Sequence, residues 1–143
     1  MKKFAIVLFS VFALSNHTVS LAHSDAELDQ QVAPHHGQIR MAGAYHIELV
    51  AKNNMLITYM TDHAGVPQET KGMTATAILL NKSQKTTVTL HSAGQNVLKG
   101  TGNFSIMPET KIVMTVQVAG QAPIQARFTP LASKMGTEQM HPH

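Results

Sequence analysis

The stretch APHHGQIRMAGAYHIELV, Ala33 to Val50, holds three histidines, one methionine and one glutamate within 18 residues. Neutral imidazole and thioether are ligands for transition metals, whereas calcium and magnesium select oxygen. The chain has nine histidines, nine methionines and no cysteine, so any sulfur ligand must be a thioether. That pairing favours copper. The competing reading is plain: methionine also fills cores, and a single surface histidine such as His91 is ordinarily only that. By alternation Met55, Met73 and Met114 fit core positions, while Met41 and Met60 lie beside histidine-bearing segments and stay open.

Tyr45 to Ala51 alternates as a strand does, with Tyr45, Ile47 and Leu49 on one face and His46 and Glu48 on the other. The apolar set must be the core face, which leaves His46 and Glu48 turned away from it. Asn53-Asn54 makes a tight turn into a second strand, Met55 to Thr61, closed by Asp62-His63-Ala64-Gly65. Counting back from that turn brings Met60 near Tyr45 and His46, with His63 just beyond. A shift of one residue would send Met60 to the opposite face. Gly37, Gly43 and Ala44 let the preceding loop bend, returning His35 or His36 over His46. The candidate metal ligands are therefore His35, His36, His46, His63, Met60 and Glu48. A metal ion needs three or four such groups on one centre.

The elements that must position these residues are short. Further strands are expected at Met73 to Leu80, Lys85 to His91, Val97 to Ile106 (interrupted by Gly100 and Gly102), Lys111 to Val118 and Ile124 to Leu131. No sustained helical period follows residue 22. About seven strands joined by connections too short for crossover helices predict an all-β domain, an antiparallel β-sandwich (Ig-like) or a small barrel. It occupies residues 34–131, after an N-terminal arm (23–33) read as flexible and before a disordered tail (132–143) that ends Met140-His141-Pro142-His143.

Residues 1–22 read as a cleaved export signal: Lys2 and Lys3, an apolar run from Phe4 to Leu14, then Ser20-Leu21-Ala22. The apolar run is shorter than the roughly 20 residues of a spanning helix. Cleavage leaves 121 of the 143 residues, enough for one domain with one core. It also makes His23 the first residue, whose free amine and imidazole together suit Cu(II). With Lys2 and Lys3 gone the net charge falls from +3 to +1 and no Lys/Arg cluster is left. Nucleic acid is not an expected partner, and neither is a membrane span.

PHHGQIRMAGAYHIELV resembles a Pro-His-Gly-Gly stretch, followed after six to eight residues by an aromatic-x-aliphatic-Glu-Leu strand, in small periplasmic heavy-metal-handling proteins. Similar segments occur near the N-terminus of the periplasmic adaptor subunits of heavy-metal efflux pumps. The resemblance runs over Pro34 to Leu80 and rests on Pro34, His35 or His36, Gly37, Tyr45, Glu48 and Leu49. Here the usual Gly-Gly after the histidine is replaced, and His36-Gly37 leaves a shifted histidine register open. The resemblance implies a periplasmic, metal-related role and an envelope efflux or resistance protein as partner, without naming the metal.

The function expected is thus a soluble periplasmic transition-metal carrier or sequestering chaperone, copper favoured. A metal-free β-sandwich module docking on an envelope complex is the alternative. An enzyme is not expected, since the chain lacks a cysteine nucleophile, a Gly-x-Ser-x-Gly elbow, a His-Glu-x-x-His helix and a phosphate loop.

Overall fold

The computed structural model describes residues 24–132. The export signal, His23 as a first residue and the tail from Ser133 onward lie outside the described residues. The described residues form one short helix, α1 (Asp25–Asp29), and eight strands: β1 (Gln38–Ala42), β2 (Tyr45–Lys52), β3 (Met55–Asp62), β4 (Thr74–Asn81), β5 (Gln84–Ser92), β6 (Val97–Thr101), β7 (Lys111–Gln117) and β8 (Ile124–Phe128). They make a single antiparallel sheet in the order β1-β2-β3-β6-β5-β4-β7-β8. Strands β4, β5 and β6 follow one another as hairpins, with β3 beside β6 and β7 beside β4, a Greek-key arrangement on both sides.

The sheet curls until its two edges meet. The Thr129 N–H donates to Gln38 Oε1 at 2.8 Å, tying the end of β8 to β1, so the expected all-β architecture is realised as a nearly closed barrel. Its interior is filled by Ile47, Leu49, Leu56, Met60, Leu90, Ile112, Met114 and Phe128, all at most 1% exposed. Burying each such side chain stabilises the fold by roughly 1.5–3 kcal/mol. That core replaces the disulfides the chain cannot form.

Two expectations about the first residues are corrected. The arm 23–33 was expected to be flexible, but it contains α1. Ser24 caps that helix: its hydroxyl accepts from the Glu27 N–H, and the Glu27 carboxylate accepts from the Ser24 N–H, a reciprocal capping box. So short a helix is marginal by itself, and tertiary contacts hold it: Leu28 is 1% exposed, and Arg40 on β1 donates to Asp29 at 2.8 Å with Asp25 at 3.7 Å. The bend expected over residues 37–44 is instead strand β1 followed by the two-residue turn Gly43-Ala44, which pairs Ala42 with Tyr45. Gly43 has φ +56°, the left-handed backbone that glycine adopts without steric cost at the first position of such a turn.

Candidate metal-binding face

Strands β2 and β3 carry His46, Glu48 and Met60; His35 and His36 lie in the loop before β1, and His63 in the turn after β3. In β2 the odd residues Ile47 and Leu49 face the barrel interior, which puts His46 and Glu48 on its outer surface. The hairpin registers then build two rows across the three strands. One runs Met41–His46–Thr61, the other Ile39–Glu48–Tyr59. Directly opposed side chains in such a ladder have Cβ atoms about 4.5–5.5 Å apart.

The second row is closed over by the loop before β1. Glu48, only 6% exposed at its side chain, is the anchor. Its Oε1 accepts from the backbone N–H groups of His35 (2.7 Å) and Gly37 (3.1 Å), and its Oε2 from His35 Nδ1–H (2.9 Å). A carboxylate with three donors around it is well satisfied, which is what allows it to be buried. The His35 ring lies flat on Tyr59, centroids 3.5 Å apart and planes 1° apart. Gly37 makes the approach possible: a β-carbon there would stand 2.5 Å from the Leu49 carbonyl oxygen and 2.9 Å from Glu48 Cγ. His36 takes the left-handed backbone, φ +59°, and is exposed, lining a different cleft, next to Leu28 and Pro130.

The first row ends on His63, carried by the turn after β3. Asp62 Oδ1 accepts from the Ala64 (2.8 Å) and Val66 (2.9 Å) N–H groups, and Gly65 has φ +81°. This Asp-turn is locked by side chain and backbone together, and it continues the outer row of β3 past Thr61. The His63 ring stacks on that of His46, centroids 4.8 Å apart and planes 27° apart. His63 Nε2 lies 3.1 Å from the Gly43 carbonyl oxygen. A carbonyl only accepts, so Nε2 carries the proton and, in the neutral ring, Nδ1 holds the lone pair. By the same argument His35 carries its proton on Nδ1, against Glu48, and keeps its lone pair on Nε2. Fixing one ring nitrogen with an acceptor and leaving the other as ligand is how metal-binding histidines are held.

The fully expected convergence is not present. Met60 is 0% exposed in the barrel interior, opposite Ile47 rather than His46, and cannot join the outer histidines. A two-residue turn pairs residues whose numbers sum to 107, so even residues of β3 oppose odd residues of β2 and share their inner face. Met55, expected in the core, is for the same reason half-buried outside; Met73 and Met114 are core, as expected. Among the described residues, no three His, Asp or Glu side chains lie close enough to hold one metal ion. What comes together is two units: His46 with His63, and His35 with Glu48. His36 joins neither. Sequence reasoning passed over Tyr59, which carries His35; Met41, whose role it left open, stands opposite His46.

His35 and His46 both line one cleft of about 400 Å³ on this face, whose rim includes Val32, Pro34 and Pro67. Val32 is 86% exposed and Val66, beside Pro67, 52%. Among the described residues no helix is long and apolar enough to cross a membrane. Comparison with protein-family models, with curated proteins and with solved structures finds no match.

Proposed function

We propose that the chain is an exported, periplasmic transition-metal-binding protein, a carrier or sequestering chaperone of the kind that serves metal resistance or efflux. One observation carries this reading: the stacked rings of His46 and His63, the latter with its Nε2 proton given to the Gly43 carbonyl. A neutral ring is the form that ligates, and the Gly43 carbonyl sets the tautomer that leaves His63 Nδ1 its lone pair. With His63 exposed and His46 half-buried, such a pair suits a cargo that must arrive and leave.

The sequence supports the setting. Residues 1–22 have the form of an export signal, and a cysteine-free chain has no thiol to be oxidised outside the cytoplasm. The left-handed backbone at His36 also suits the glycine that the Pro-His-Gly-Gly stretch carries at this position. The resemblance then aligns its histidine with His35. The experiment is a competition titration of the exported protein with Zn(II) and copper. His46→Ala lowers affinity at least tenfold; an unchanged dissociation constant removes the strand face as the site.

A second reading is favoured by the cleft itself. With Val32 and Val66 exposed at its side, it offers apolar surface to an envelope protein. In that reading substitutions at Val32 and Val66, not at the histidines, abolish the interaction, and metal titration leaves the histidine signals still.

A further inference from the structure

We infer that this site selects a soft monovalent cation, Cu(I), and that Met41 is its sulfur ligand. The inference rests on the metal-binding reading above and specifies its cargo. Met41 stands directly opposite His46 in the β1–β2 ladder, on the same outer face, and is half-buried. His63 flanks His46 from the other side. The β1–β2 row is therefore thioether then imidazole, and the turn after β3 sets a second imidazole against it.

The donor chemistry selects the ion. All three groups are neutral, so no ligand charge offsets a divalent cation, and the thioether is a soft ligand that favours Cu(I). Zn(II) takes four ligands in structural sites, typically thiolate, imidazole or carboxylate. Neither carboxylate nearby is placed to complete the set. Glu48 is held by three N–H donors. Asp62 accepts from Ala64 and Val66, and its strand position opposes Tyr45 rather than His46. Two imidazoles and a thioether make a three-coordinate site, sufficient for Cu(I) and incomplete for Zn(II). The rings are stacked in this structure, so loading turns the exposed His63 ring edge-on to the ion. The turn is about the Nε2 contact with the Gly43 carbonyl, which keeps the proton on Nε2 and makes Nδ1 of His63 the ligand atom.

The test uses the exported full chain under anaerobic, reducing conditions, with a coloured Cu(I) chelator as competitor and Zn(II) measured in parallel. X-ray absorption of the Cu(I)-loaded protein reports whether sulfur is bound. Expected are one tightly held Cu(I), sulfur in its shell, and at least a tenfold loss of Cu(I) affinity in Met41→Leu, with Zn(II) affinity changed less than twofold. Met60→Leu, inside the barrel, changes neither. Leucine conserves volume at a half-exposed strand position, and circular dichroism checks that the variant is folded; the absorption spectrum of the unaltered protein needs no variant. An unaltered Cu(I) affinity in Met41→Leu, or a shell of nitrogen alone, overturns the inference. If His46→Ala then still weakens Zn(II), the metal-binding reading survives without it. If neither metal competes with the chelators, both fall.

Discussion

His35 and Glu48 are joined twice, by the backbone N–H of His35 at 2.7 Å and by its Nδ1 at 2.9 Å, so that the loop before β1 is pinned to the middle of β2. The Gly37 N–H adds a third bond to the same carboxylate. Glu48 is thus less a ligand than the post around which the face is built. Glu48→Ala strands these donors and is expected to cost about 2–4 kcal/mol, from the penalty of leaving buried polar groups unpaired. Glu48→Gln keeps an acceptor oxygen and costs less. Urea unfolding of both variants measures the difference; equal losses would mean that the carboxylate acts by bulk alone.

Gly37 is where that loop touches β2. Gly37→Ala places a methyl group against the Leu49 carbonyl and Glu48 Cγ. The backbone there must move, so the stacking of His35 on Tyr59 is lost together with roughly 1–3 kcal/mol of stability. The His35 ring proton shifts, which the face of Tyr59 displaces, report the loss directly. Unchanged shifts in Gly37→Ala would show that the loop is not held by close approach.

Arg40 ties α1 to the barrel through Asp29 and Asp25. In Arg40→Ala the helix is expected to release, with amide exchange rising across Ala26 to Gln31 while β2 to β8 stay protected. Asp29 and Asp25 keep substantial solvent contact, so the cost to global stability is small, about 1 kcal/mol or less. Exchange that stays slow in the helix would assign its docking to Leu28 alone.

Binding is expected to fall with acid. Each imidazole must lose its proton to ligate, while a thioether does not titrate. Where the rings are protonated, affinity at a two-imidazole site falls by up to about a hundredfold per pH unit, and in His63→Ala by about tenfold. Equal affinity at pH 5 and pH 7.5 argues against histidine ligation altogether.

Much of the scaffold was legible in the sequence, because alternation and turn residues are local signals. Strand β2 could be read from Tyr45 to Ala51 with both faces assigned, and β4, β5 and β7 fell within one residue of their observed limits. The errors came from turns. Taking Asn53-Asn54 as a two-residue turn sets Lys52 against Met55 and Ile47 against Met60, which sends Met60 inward. Taking Gly43-Ala44 the same way sets Met41 against His46. Both pairings follow from turn length, whereas reading residues 37–44 as a bend concealed β1 and with it the methionine on the right face. The docking of α1 and the stack of His35 on Tyr59 are tertiary relationships that no local pattern carries.

The most direct test is to follow the histidine imidazole resonances by NMR while the exported protein is titrated with Cu(I) and, separately, with Zn(II). The account predicts that the His46 and His63 signals move together and saturate at one equivalent while His91, on β5, stays in place. Movement confined to His23, His141 and His143, with His46 and His63 still, would contradict it.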